Sequence, residues 1–340
     1  MGVSTAKYEE AHKGAKGPGD HRPTAEQIIL DDDLVGKLKG KTMLVTGTSA
    51  GIGVETVRVL ATTGATIFCA VRNLPKAEKA LAGILEPGRV ELLEMDMASL
   101  ASVRKGAAEF RERNAKLGGK LNVLITNAGL MMLQQKELTV DGFEAQFGVC
   151  HVAHFLLFNL VKELLIASAT PEFQSRVVVV SSMAHQVGPV YPEDNYSFTK
   201  IPYQTGLAYG QAKRANVHFA NEITRRYGSK GVFANSLMPG TIDTMSAPGV
   251  ELPQEVQDFF NAYKLLMKDV PQGAATTVLA AVGKEWNGVG GKYLEDCREI
   301  EVMGKAKNEA FGYHPDAFDE VIEKRLWDDS LRLVGLPQDA

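Results

Sequence analysis

Cysteine is scarce in this chain. The three residues, Cys69, Cys150 and Cys297, are scattered and odd in number, which excludes a disulfide framework and points to a reducing, cytoplasmic setting. An excess of one charge is also missing. Thirty-seven Lys and Arg stand against forty-one Asp and Glu, with no basic block, so no nucleic-acid partner is expected. Long apolar runs are absent: Val152 to Val161 is broken by His154 and Asn159 and falls short of the ~20 residues of a membrane span. No apolar segment follows the N-terminus, and Ala6 stands where a myristoylation motif wants Ser or Thr, so neither a secretory signal nor a lipid anchor is expected. What remains is 340 residues of ordinary composition, 45% apolar and 23% charged. That is enough for one α/β domain of roughly 250 residues plus about ninety to be placed elsewhere.

Residues 1–37 read as a polar arm, 38–300 as the main domain and 301–340 as a C-terminal extension packed near the substrate site. From Thr42, short apolar runs alternate with segments of helical period. The runs are Met43–Val45, Thr66–Val71, Val90–Met95, Leu121–Ile125, Val177–Val180, Val232–Leu237 and Tyr293–Leu294. Between them lie 51–63, 74–85, 99–117, 143–168, 207–227 and 268–282, and a further amphipathic stretch covers 315–334. Such alternation predicts an α/β fold, a doubly wound parallel sheet with ligands at the carboxyl ends of its strands.

The first run leads into Thr46-Gly47-Thr48-Ser49-Ala50-Gly51-Ile52-Gly53 and then a helix. Glycines there allow a tight turn and close approach of a pyrophosphate, whose charge meets free N–H groups at the helix start. The spacing is not the usual G-x-G-x-x-G, and a merely flexible loop stays open. About 20 residues on, a carboxylate would bind a ribose 2′-OH and an arginine a 2′-phosphate. Here Ala70-Val71-Arg72-Asn73 carries no acid, and Arg72 with Lys76 favours NADP, the alternative being a solvated strand-end arginine. Asp96, beside Met97, either binds an adenine amino group or caps the next helix.

Tyr209 and Lys213 lie four apart on a predicted helix, on one face with Cβ atoms about 5–6 Å apart. A phenol of pKa near 10 must fall by about 2–3 units, roughly 3–4 kcal/mol, to exchange protons near neutrality, and an adjacent ammonium favours that. Alone, this spacing is common on solvated helices. Ser181-Ser182 follow the run Val177–Val180, where Ser182 is either a substrate-orienting hydroxyl or a turn residue. Asn127-Ala128-Gly129 and Pro239-Gly240-Thr241-Ile242-Asp243-Thr244 follow two further runs.

Taken in this order, from about Gly40 to Cys297, the motifs resemble the short-chain dehydrogenase/reductase family. Asp141-Gly142-Phe143-Glu144, Ser181-Ser182-Met183-Ala184-His185 and Gly291-Lys292-Tyr293-Leu294-Glu295-Asp296-Cys297 narrow the likeness to its retinol-dehydrogenase-like and WW-domain-oxidoreductase-like branch. The resemblance implies a Rossmann fold and hydride transfer between NADP(H) and a carbonyl/alcohol pair. Tyr209 would be the general acid/base, Lys213 its pKa partner and ribose anchor, and Ser182 the orienting hydroxyl. It also implies cofactor contacts from Gly47, Ser49, Gly51, Ile52, Gly53, Arg72, Lys76, Asp96, Met97, Asn127, Ala128, Gly129, Tyr209, Lys213, Pro239, Gly240, Ile242 and Thr244. No metal is expected, since His151 and His154 lack ligand-spaced companions.

One departure stands out. The family's asparagine after the fourth strand is replaced by Cys150 in Phe147-Gly148-Val149-Cys150-His151. A tolerated replacement, modified proton handling, and an NADP-binding protein with little catalysis are the three readings. Met183, Pro189, Tyr191, Met245 and Phe259-Phe260 suggest an apolar pocket for a small-molecule substrate. A tailoring reductase of specialised metabolism, acting on a polyketide or imine, is the alternative function. The family's use of the 143–168 and Tyr/Lys helices as an interface leaves a homodimer open.

Overall fold

The computed structural model describes residues 6–242, 254, 258, 261–303 and 312–338. Its centre is an eight-stranded sheet of β1 Thr42–Thr46, β2 Thr66–Val71, β3 Val90–Glu94, β4 Val123–Thr126, β5 Ser175–Val180, β6 Val232–Leu237, β7 Lys292–Glu295 and β8 Arg298–Glu299. The order is β3-β2-β1-β4-β5-β6-β7-β8. Every neighbouring pair is parallel except β7 and β8, a short antiparallel hairpin at the edge. From β1 the chain winds outward through β2 and β3, then restarts at β4 on the other side. The crevice where winding reverses, above β1 and β4, is the place such sheets reserve for ligands.

The longer helices among the described residues are α1 Ala25–Asp31, α2 Gly51–Ala61, α3 Leu74–Ala80, α4 Leu100–Ala115, α5 Ala145–Ser168, α6 Thr205–Tyr227, α7 Val270–Val282 and α8 Glu320–Leu333. They cover both faces of the sheet, which is why its strands read as unbroken apolar runs. Side chains alternate across the pleat. Leu44 packs in the layer of α4, α5, α6 and α8, while Met43 and Val45 pack in the layer of α1, α2 and α7. The arm before β1 is therefore part of the fold: Thr24 caps α1 by accepting from the Gln27 N–H, and Ile28 and Ile29 are fully buried.

Two features bear on the site. Within α5, Gly148–Val152 forms a π turn, with the Ala153 N–H donating to the Gly148 carbonyl; such one-residue expansions gather at functional sites. By length and composition α5 could cross a membrane, and 67% of its most apolar window is buried inside the fold. Helix α8 lies over α5 and α6, where Trp327 sits among Phe155, Phe158, Phe219 and Tyr227.

Candidate active site

The carboxyl ends of β1, β2, β4, β5 and β6 open into one cleft of about 1060 Å³. Its β1 end is a turn that only glycine can build. Gly47 has φ +74°, and a Cβ there would lie 2.7 Å from the Ala128 Cα; a Cβ on Gly53 would lie 2.2 Å from the Gly47 carbonyl oxygen. Both distances are inside van der Waals contact. Helix α2 then begins with Ala50 as N-cap and no side chain on its first N–H groups. By contrast α1, α3, α4, α7 and α8 are capped by Thr24, Asn73, Ser99, Asp269 and Asp319. The uncapped end, bordered by Ser49, Gly51 and Ile52, offers N–H donors and the positive end of a dipole to a phosphate.

Beside it, past β2, Arg72 and Lys76 are exposed on the cleft wall and form no ion pair among the described residues. The neighbouring Asn73 is engaged, accepting from the Lys76 N–H at 2.9 Å. Asp96 accepts from the Ala98 N–H at 2.9 Å, and it is Ser99 that caps α4, so the helix-cap alternative for Asp96 falls away. Met97 lines the wall next to it. This donor set, an uncapped helix start with two unpaired cations and no acid at the β2 end, fits a dinucleotide bearing an extra phosphate.

In the middle of the cleft, the Lys213 Nζ donates to the Val180 carbonyl at 3.0 Å and lies 5.6 Å from the Tyr209 ring centre. The Ser181 hydroxyl donates to the Lys213 carbonyl at 2.7 Å, tying α6 to β5. Ser182 accepts from the Ala184 N–H at 3.2 Å and lines the cleft together with Tyr209. Burial raises the Tyr209 phenol above its ordinary value, while Lys213 and Ser182 pull the other way. Burial opposes the charge of Lys213, but the facing Tyr209 and Cys150 outweigh it and raise the ammonium.

Cys150 stands at the same place. Its Sγ is 3.6 Å from the Leu130 carbonyl oxygen, and a Cβ on Gly129 would fall 3.3 Å from that sulfur and 3.6 Å from Lys213 Nζ. The main-chain carbonyl of Cys150 accepts from His154 Nδ1 at 3.0 Å. Because Nδ1 faces a carbonyl it carries the proton, so Nε2 accepts from the Thr46 hydroxyl at 2.9 Å. Thr46 in turn accepts from the N–H groups of Asn127 and Ala128, each at 3.0 Å. The Asn127 Nδ2 closes the network by donating to the Thr46 and Gly47 carbonyls at 2.9 and 3.1 Å. Burial holds His154 down to about 4, neutral in this role.

Pro239, Gly240 and Ile242, after β6, form a further part of the wall. Every expected catalytic and cofactor-contact residue within the described residues borders this one cleft. Thr244, Met245, Phe259 and Phe260 lie outside the described residues.

Comparison with known proteins decides the family. The short chain dehydrogenase model matches residues 41–252. The chain belongs to the short-chain dehydrogenase family. Short-chain dehydrogenase/reductase prx1 of Penicillium roqueforti is 46% identical over 98% of this chain and 96% of that protein. Retinol dehydrogenase 14 of Homo sapiens is 34% identical over 88% of each, and a WW domain-containing oxidoreductase of Danio rerio 36% identical over 93% of this chain and 72% of that one. These relatives place the chain in the branch its motifs indicated. Among solved structures, the Pseudomonas aeruginosa RhlG/NADP active-site complex has the same fold, with TM-score 0.60 at 22% identity over 77% of this chain and 96% of that one.

The short-chain dehydrogenase cleft also has walls that the sequence did not single out. Met95, Leu130, Met131, Met132, Val149, Gln186 and Val187 line it. An apolar side chain carries no sign of whether it faces core or cavity, so only the strand ends could have pointed to them. Two expected pocket residues are elsewhere. Pro189 is exposed, and Tyr191 packs edge-on against Phe198 at 5.6 Å. Helix α8 draws that part of the loop away, through Arg325 to the Val190 carbonyl at 3.0 Å and Tyr196 to Asp329 at 2.6 Å.

Proposed function

We propose that this protein is an NADP-dependent oxidoreductase that transfers a hydride between the nicotinamide and a carbonyl/alcohol pair on a small apolar substrate. One observation carries the reading: Ser182, Tyr209 and Lys213 meet in the same cleft whose far end holds the glycine turn, Arg72 and Lys76. When bound, the cofactor supplies the hydride and, in its oxidised form, a positive ring. Tyr209 gives its phenolic proton to the substrate oxygen in reduction and takes it back in oxidation. Lys213, anchored on the Val180 carbonyl, stabilises the phenolate and so counters part of the rise that burial imposes. Ser182 holds the substrate oxygen and the developing alkoxide by hydrogen bond. The free cations Arg72 and Lys76 support NADP over NAD, and the P. aeruginosa relative was itself crystallised with NADP. Met131, Met132, Met183 and Met238 on the walls suit a neutral apolar substrate, because flexible thioethers fill around varied shapes.

Cys150 is compatible with turnover: its carbonyl is retained and held by His154, and its thiol makes one weak contact. This favours the tolerated replacement among the three readings. The test follows consumption of reduced cofactor across a panel of ketones and aldehydes. Wild type is expected to turn over, with Tyr209→Phe slowed by at least about a hundredfold; equal rates would remove Tyr209 from its role.

A further inference from the structure

The wall after β6 is held by a device that the reaction described above does not use. Lys268 is 4% exposed. Its backbone N–H donates to the Thr241 carbonyl at 2.9 Å, and it forms a parallel bridge with Ile242. Its side chain runs directly under Gly240: a Cβ on that glycine, at φ +116°, would lie 2.7 Å from Lys268 Cδ. The Nζ ends 3.5 Å from the Pro239 carbonyl oxygen and 2.7 Å from Asp296 Oδ1.

Asp296 is itself held in an uncommon posture. It and Cys297 form the two-residue turn between β7 and β8, with φ +51° and +59°. Left-handed backbone at two successive non-glycine residues is strained and persists where surroundings enforce it. Here the Cys297 N–H donates to the Thr276 hydroxyl on α7 at 3.2 Å. His12, from the N-terminal arm, lies 3.7 Å from the Asp296 carboxylate.

The arm grips the other side of Lys268. The Arg22 guanidinium, 4% exposed, donates to the carbonyls of Leu266, at 2.8 Å, and Met267. It is steadied by Asp20 at 2.8 Å, which also accepts from Gln272 on α7 at 3.0 Å.

A buried ion pair adds little net stability compared with a well-packed apolar pair, but it fixes geometry. The geometry fixed here is that of Pro239–Ile242, the wall that borders the same cleft as Tyr209 and Ser182. We infer that Lys268 and Asp296, braced by Arg22 of the arm, are positioning residues that hold Pro239–Ile242 in the conformation that binds the nicotinamide cofactor. The inference rests on the proposed function. It makes the arm, which the dinucleotide fold does not itself require, a part of the cofactor site.

The test uses the full chain with Lys268→Met, the isosteric Asp296→Asn and the double variant. Binding of NADP(H) is measured by calorimetric titration, and hydrogen exchange at the Lys268 amide is measured without cofactor. Each single variant is expected to weaken binding about tenfold or more, a misplacement effect, and to speed exchange at that amide. The double variant should bind no worse than the weaker single, because both residues act through one strut. Unchanged affinity in an Asp296→Asn protein that melts with the wild type overturns the inference, as does additive loss in the double variant. If wild type binds neither NADP nor NAD, the oxidoreductase reading fails and takes the inference with it; wild-type binding with unaffected variants overturns the positioning role alone.

Discussion

Trp327→Ala puts the C-terminal segment to a quantitative test. The indole is 2% exposed. Its ring centre is 4.9 Å from that of Phe155 and 6.2 Å from those of Phe158, Phe219 and Tyr227, while the Arg226 guanidinium lies over it at 4.7 Å. A tryptophan buries roughly 150–250 Å², worth about 4–6 kcal/mol at 25 cal/mol per Å². That is an upper figure, because the unfolded chain already hides some of this surface. Truncation to alanine is therefore expected to cost about 4 kcal/mol, within the usual range for a buried aromatic. With an m-value of about 3 kcal/mol per molar, the urea midpoint should fall by about 1–1.5 M, read by far-ultraviolet circular dichroism. Trp327→Phe separates packing from polarity. The indole Nε1 is buried with no hydrogen-bond partner among the described residues, so phenylalanine keeps the aromatic contacts and loses none of the described hydrogen bonds; about 1 kcal/mol is expected. Loosening α8 also exposes the aromatic face of α5 and α6, so Trp327→Ala should self-associate in sedimentation velocity. An alanine variant within 1 kcal/mol of wild type, or a phenylalanine variant as unstable as alanine, would refute the packing role argued for α8.

Three further outcomes follow from the cleft and its surroundings. Arg72→Ala should weaken NADP binding about 10- to 100-fold, the value of one charge-assisted hydrogen bond at an exposed site, and leave NAD binding unchanged; a retained NADP preference in titrations removes Arg72 from cofactor choice. Cys150→Ser should keep kcat close to wild type, because the carbonyl held by His154 is untouched, and a loss beyond about tenfold in steady-state assays would show that the thiol takes part. Burial lifts the Glu295 carboxyl from 4.5 to about 7, so the folded state keeps a proton that the unfolded chain has lost. Its contribution to stability is complete below about pH 4.5 and declines by about 3 kcal/mol as pH rises through 7. Urea midpoints at pH 5 and pH 8 should therefore differ less in Glu295→Gln than in wild type, and an equal difference would count against that assignment.

What could be read from the chain, and what could not, divides along a physical line. Strands β2 and β6 have the bounds that their apolar runs give, because a centre strand of a parallel sheet is apolar on both faces. Strand β5 begins two residues earlier than its valines, at Ser175 and Arg176. A charge argues against a buried strand, yet Arg176 is 3% exposed and donates to the Gly283 carbonyl at 2.9 Å beyond α7. The glycine turn was legible because its requirement is local: Gly47 and Gly53 must lack a Cβ whatever else the chain does. Helix α1 falls inside the polar arm because an apolar pattern begins there only at Thr24-Ala25-Glu26-Gln27-Ile28-Ile29, too short a stretch to establish a helical period.

Cys150 shows the same division within one residue. That a cysteine replaces the expected asparagine is evident from its neighbours, Phe147-Gly148 before and His151 after. What the replacement does depends on the π turn Gly148–Val152, and one extra residue in a helical turn leaves no mark on the 3.6-residue period of a helix apolar nearly all round. The turn sets which way the Cys150 carbonyl faces, and His154, one helical turn later, then takes it up. The pairing of Lys268 with Asp296, 28 residues away, is hidden for a like reason. Neither residue is unusual where it stands, and only the strained hairpin between β7 and β8 brings the carboxylate under the cofactor wall. Substitutions that alter this cleft without touching its motifs should therefore lie at such long-range contacts, and a scan of Lys268, Asp296 and Arg22 for cofactor affinity should find larger effects than a scan of the motif-adjacent surface residues Leu138 and Val140, which are 56% and 80% exposed.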